Sequence, residues 1–231
     1  MPEREPMDPK RRRALLRTWV PTGIIVVLIA AVGFTTASLL GGGLGAPPPA
    51  PTAGQVTEVN RSVFTADGLD YIASTRVVRI DLSAPPVEAA PLGLPADGET
   101  VLPIIATGDT ELDYSLRVYG GGAEPGGISL APPTITILTA AGAISGIEAP
   151  SREVSPFRTL LSDLTGRAAL FGWPEGEQER VLAEVAAATT AGQPYSFTIG
   201  PGDRLGLGVA VRVDCEPDGF CSSTWLLTPK P

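Results

Sequence analysis

Beyond Val56 apolar residues recur at every second position, the spacing of strands that bury one face. Over residues 205–214, Leu205, Leu207, Val209, Val211 and Val213 alternate with Gly206, Gly208, Ala210, Arg212 and Asp214. Over residues 111–119, Leu112, Tyr114, Leu116 and Val118 alternate with Glu111, Asp113, Ser115 and Arg117. The same reading predicts strands at residues 77–82 (Val78, Ile80 and Leu82 inward), 100–106, 134–138, 195–199 and 223–227. Pro103 has no amide hydrogen to give a neighbour, so its strand is expected at a sheet edge or with a bulge. Turn sequences at residues 95–98, 107–110 and 200–203 punctuate these runs. Seven or eight short strands predict a mainly β jelly-roll or Ig-like sandwich over residues 56–231.

The period changes to that of a helix in two places. Ser155-Pro156 is read as an N-cap with proline in the first turn, followed by Phe157, Leu160, Leu161 and Leu164 and a stop at Gly166. Residues 177–191 form the second, with Val181, Leu182, Val185 and Ala188 as its apolar face and Gly192 and Pro194 behind it. Such an insertion is expected to cap an open end of the sandwich. Gly120-Gly121-Gly122 and Gly126-Gly127 lack a following Lys-Ser/Thr and are read as a flexible connection between sheets, not a phosphate loop.

Ahead of the alternating region no charged residue occurs between Arg17 and Glu58. Within that gap residues 22–41 are dense in apolar side chains, close to the roughly 20 needed to span a bilayer as a helix. Residues 1–21 are basic, which predicts a cytoplasmic N-terminus and export of everything after the apolar segment. Two outcomes stay open: an uncleaved single-pass anchor, or a signal peptide cut after Ala37 that releases the chain to the cell surface. The Gly/Pro-rich linker, residues 42–55, contains Pro47-Pro48-Pro49-Ala50-Pro51, a semi-rigid spacer.

Charge then narrows the partners. The net charge is −8; residues 1–18 carry +3, which leaves −11 beyond them. That argues against nucleic acid, whose phosphates need basic surface. The chain has no His, which excludes a Ser-His-Asp triad, a Cys-His pair and a His-ligated zinc. No catalytic residue and no cofactor is assigned. Cys215 and Cys221 are the only cysteines and, in an oxidising compartment, predict a disulfide across a turn. Asp109, Glu111 and Asp113 are spaced two apart, as on one face of a strand. They are the candidate metal ligands, read first as a solvated strand face. Asp214, Glu216 and Asp218 form a second such set. Phe171 and Trp173 are read as packing beneath the helices, with an exposed aromatic patch as the alternative. Asn60-Arg61-Ser62 matches a glycosylation sequon.

Leu94-Pro95-Ala96-Asp97-Gly98-Glu99-Thr100, an apolar strand, and then Ala106 to Leu116 form a turn–strand–turn series ending in Leu112-Asp113-Tyr114-Ser115-Leu116. With the helical insertion and Ile199-Gly200-Pro201-Gly202-Asp203, this series resembles the TasA/camelysin (CalY) family of exported bacterial matrix-fibre proteins. The resemblance covers about residues 64–214; the Pro-rich spacer and the cysteine pair depart from it. It implies a jelly-roll-like sandwich in which one subunit's N-terminal segment completes a neighbour's sheet. Residues 56–64 would be that donor. The protease activity attributed to some camelysins does not carry over to a chain without His.

A non-enzymatic structural or fibre-assembly component of the cell envelope follows as the leading expectation. The alternative is a membrane-anchored extracytoplasmic module that recruits a protein or glycan partner; an enzyme using an Asp/Glu pair ranks third. Export is testable directly. Alkaline phosphatase fused after Pro231 is expected to be active and β-galactosidase at the same position inactive; the reverse pattern would place the domain in the cytosol.

Overall fold

The chain's computed structural model describes residues 50–52, 54–57, 61–121, 126–189, 193–203 and 205–230. Residues 1–21, the apolar segment 22–41 and most of the linker lie outside them, as does Asn60 of the sequon. Among the described residues no helix is long and apolar enough to cross a membrane. Strand outweighs helix, 45% against 21%, so the expectation of a mainly β chain holds.

In chain order, helix α1 (Ala66–Thr75) precedes strand β1 (Val77–Leu82). A short 3-10 turn (Ala90–Leu92) leads to β2 (Gly98–Leu102), β3 (Ile105–Thr107), β4 (Thr110–Leu112), β5 (Ser115–Gly120), β6 (Gly126–Leu130), β7 (Ile135–Ala140), β8 (Ala143–Pro150) and β9 (Ser155–Pro156). Helices α2 (Phe157–Gly166), α3 (Ala168–Phe171) and α4 (Glu177–Thr189) follow, then β10 (Tyr195–Gly202), β11 (Leu207–Cys215) and β12 (Phe220–Pro229). One sheet runs β10-β11-β12-β8-β7-β2, with β9 also paired to β12; a three-stranded sheet runs β1-β5-β6, and β3-β4 form a ribbon. Every neighbour in the larger sheet is antiparallel. In the smaller one β1 and β5 are parallel.

Alternation produces the core directly. Val78, Ile80 and Leu82 of β1 and Leu116 and Val118 of β5 are buried, and join Leu207, Val209, Val211 and Val213 of β11 and Leu227 of β12 in one apolar cluster. Burying a side chain of this size contributes about 1.5–3 kcal/mol.

Two predicted strands are each broken in two. Residues 100–106 become β2 and β3, because Pro103 ends the pairing with β7 and the chain leaves for the β3-β4 ribbon. β2 is indeed an edge strand. Residues 111–119 become β4 and β5. Between them the Tyr114 amide donates to Pro132 O (2.9 Å), Ser115 N to Arg76 O (2.7 Å) and the Tyr114 hydroxyl to Pro103 O (2.5 Å), which moves the chain from the ribbon to the smaller sheet. The 200–203 turn also shifts: Gly200 to Gly202 belong to β10, where a register shift between Ile199 and Gly202 accommodates Pro201.

Other elements depart from the sequence pattern. Helix α1 has no counterpart in the apolar pattern of the sequence. Thr65 caps it by accepting from Gly68 N (3.4 Å), and only Gly68 and Ile72 are buried, too few to set a helical stripe. A Cβ on Gly68 would lie 2.0 Å from the Val63 carbonyl oxygen, so glycine is what lets the helix approach that segment. Ser155 does not cap α2. Ser155 and Pro156 pair with Cys221 and Phe220, and Phe157 N donates to Gly219 O (3.0 Å), so a turn carbonyl replaces the expected cap. On α4, Val181 and Val185 are buried but Leu182 is 40% exposed. The glycine-rich run joins β5 and β6 of one sheet, not two sheets. Its Gly121 packs so closely that a Cβ on Gly206 (φ 65°) would lie 1.6 Å from its oxygen.

The disulfide forms. Cys215 and Cys221 are cross-strand partners of β11 and β12, six residues apart, with Cα atoms 4.0 Å apart. Closing so short a loop restricts the unfolded chain by about 2 kcal/mol. The Cys215→Ser/Cys221→Ser variant is therefore expected to lose about 2 kcal/mol in guanidinium unfolding; an unchanged midpoint would contradict a stabilising role.

Candidate functional site

Three places on the described surface hold groups whose chemistry can act on a partner: the sheet edges, the acidic ribbon and a cleft at the disulfide end.

The two edges of the larger sheet differ. Along β10, α4 supplies side chains that occupy outward-facing main-chain groups. Arg180 Nη2 donates to Thr198 O (2.6 Å), and Glu177 Oε2 accepts from Gly200 N (3.4 Å). Arg180 is itself held by Glu177 and Glu184, each at 2.7 Å. The inserted helices therefore seal an edge and do not simply cap an end. β2 is the opposite case: among the described residues only β7 pairs with it. Val101 and Ile104 stand 53% and 52% exposed there. In the smaller sheet β6 likewise has one partner, β5. Unpaired strand edges carry rows of free donors and acceptors and invite pairing with another chain.

The edge of β1 is covered from within. Ser62 N donates to Arg79 O and Arg79 N to Ser62 Oγ, both at 2.9 Å. Phe64 N donates to Leu92 O (2.7 Å), and Ser62, Val63 and Phe64 are buried. The last three residues of the expected donor segment, residues 56–64, are thus part of its own fold. Ser62 of the sequon shares that burial.

The acidic residues of the ribbon are brought together only in part. Asp109 lies in the β3-β4 turn, Glu111 in β4 and Asp113 beyond it, so the three do not share a strand. Arg152, from the loop after β8, bonds Glu111 Oε2 through Nη1 (2.5 Å) and Asp113 Oδ1 through Nη2 (2.9 Å). The guanidinium takes the place a cation would need. Among the described residues no group of three His, Cys, Asp or Glu is placed to hold a metal.

Phe171 and Trp173 are buried, as expected of packing beneath helices. With Trp225 they form an aromatic cluster whose ring centroids lie 5.1 to 6.3 Å apart. Trp173 Nε1 donates to Val209 O at 2.7 Å, so its polar edge is satisfied.

At the disulfide end a cleft of about 460 Å³ opens on the outer face of the larger sheet. Its lining includes Ser196, Asp214, Glu216, Phe220, Ser222 and Val154. The register sets Ser196, Asp214 and Ser222 side by side on three adjacent strands. Asp214 accepts from Ser196 Oγ (2.5 Å) and faces Arg212 Nε (3.6 Å). Phe220 and Val154 are 47% and 61% exposed. Of these residues the sequence pattern singled out only the carboxylates. Asp218 instead accepts from Phe220 N within the turn (3.1 Å). Val154 reaches the cleft from a loop distant in sequence.

Comparison of the chain with family models, curated proteins and solved structures returns no match.

The sealed edge has a pH signature. The Arg180 guanidinium holds the Glu177 carboxyl below its ordinary value of 4.5; burial opposes this and the Gly200 amide assists. A depressed folded pKa contributes stability above the unfolded value and loses it as pH falls through the folded one. Guanidinium unfolding at successive pH steps below 4.5 is expected to show that loss, and Arg180→Met is expected to flatten it. An identical acid limb in the variant would separate Glu177 from the edge seal.

Proposed function

We propose that this chain is a non-enzymatic, exported cell-envelope or surface protein with a structural or fibre-assembly role, as its resemblance to TasA/camelysin implies. The finer architecture that goes with this reading is a jelly-roll or Ig-like sandwich, held at the envelope by residues 22–41 or released from it by cleavage. The observation that carries it is the inequality of the sheet edges: β10 is sealed by α4, whereas β2 and β6 each keep an unpaired side among the described residues. Two different open edges on one subunit suit a head-to-tail contact, and a contact of that kind grows an open chain. Here β2 of one copy pairs with β6 of the next. Residues 56–64 are a poorer donor, because Val63 and Phe64 would first have to leave their own core.

Electron microscopy tests the assembly. The exported chain is expected to form filaments, and Val101→Lys, which places a charge on the open β2 edge, is expected to raise the concentration needed by about tenfold, or about 1.4 kcal/mol. Monodisperse wild-type particles at high concentration would overturn the reading.

The cleft on the outer face favours a second reading, an anchored extracytoplasmic module that recruits a partner through that face.

A further inference from the structure

Convergent polar groups around a partly apolar cavity are the usual form of a binding site, and the cleft of about 460 Å³ beside Cys215 has that form. Its walls differ in kind. Phe220 presents an exposed ring and Val154 an exposed side chain from the loop before β9. Asp214, near the end of β11, and Glu216, one residue beyond that strand, also line the cleft at a spacing of two residues. The hairpin fixes this spacing: Cys215 is tied to Cys221, and Glu216 N donates to Phe220 O at 2.9 Å.

The charges are unequally satisfied. Asp214 shares Arg212 with Glu148, at 3.6 Å each. Among the described residues Glu216 has no ion-pair partner. Two carboxylates share the one guanidinium and Glu216 adds a third without a counter-charge, so these four groups sum to −2 on a chain that is already acidic. The side chains lining the cleft offer acceptors and an aromatic face. Apart from the hydroxyls of Ser196, Ser222 and Tyr195, they offer no side-chain donor.

From this arrangement we infer that the cleft binds a cationic side chain, Lys or Arg, carried by a partner protein and flanked there by an apolar residue. The cation meets Glu216 and Asp214 and lies over the Phe220 ring, where the quadrupole attracts it. The apolar neighbour covers Val154. Charge complementarity selects this occupant. An anionic partner is repelled, and a neutral glycan gains nothing from the uncompensated negative charge. The inference rests on the binding-module reading and is independent of filament growth.

Fluorescence anisotropy of the full chain with the labelled peptide Val-Arg-Val-Lys-Val tests it. The peptide is expected to bind and to weaken as salt rises, while Val-Glu-Val-Glu-Val does not bind. Glu216→Gln and Phe220→Ala are each expected to weaken binding about tenfold. Guanidinium unfolding monitored by tryptophan fluorescence checks that both variants stay folded. Equal affinity of wild type and Glu216→Gln, absence of peptide binding, or displacement of the peptide by cellohexaose would each overturn the proposal. Filaments formed by a chain that binds no peptide would remove it and leave the assembly reading in place.

Discussion

The β11–β12 hairpin is the element on which the rest of the structure depends. Its strands pair without interruption from Leu207 opposite Pro229 to Cys215 opposite Cys221. One side of that ribbon supplies Val209, Val211, Val213, Trp225 and Leu227 to the core. β10 joins on its β11 side, and β8 and β9 on its β12 side. The hairpin also receives bonds from the helical insertion. Trp173 donates to Val209 O and Phe157 to Gly219 O, so the insertion is held at both ends of the ribbon. Antiparallel pairing of long alternating strands thus organises the larger sheet, and the disulfide closes the end where the turn would otherwise fray.

A sheet of this size has to end, and the treatment of its ends divides the molecule into closed and open surfaces. The closed end uses the inward valines of α4 to hold the helix against the protein and Arg180 to occupy a strand carbonyl. The open end has apolar side chains and a proline just beyond the strand. Proline limits how far a neighbour's ladder can extend past β2, which gives any strand addition there a defined stop. Charge is handled locally. Arg152 with Glu111 and Asp113, Arg61 with Asp81, and Arg212 with Glu148 and Asp214 each place a guanidinium among carboxylates. Among the described residues no carboxylate is buried, so the acidic side chains lie on surfaces or at their margins.

The alternating pattern was sufficient for the mainly β class and the inward faces of β1, β5 and β11, proline's missing donor narrowed the Pro103 strand to an edge or a bulge, and the cysteine spacing predicted the disulfide. These are local properties: side-chain direction follows from the two-residue repeat, and a six-residue cysteine spacing across a turn leaves little choice of partner. Tertiary contacts decided the remainder. Tyr114 and Pro103 lie where the chain crosses between sheets, and such a crossing leaves the polar and apolar alternation unbroken. Helix α1 buries too little to be periodic, and α2 takes its cap from a turn more than sixty residues away in sequence, between Glu216 and Phe220. The separation of Asp109 from Glu111 and Asp113, and the meeting of Val154 with Glu216 and Phe220, likewise depend on how distant segments pack, which no local repeat encodes.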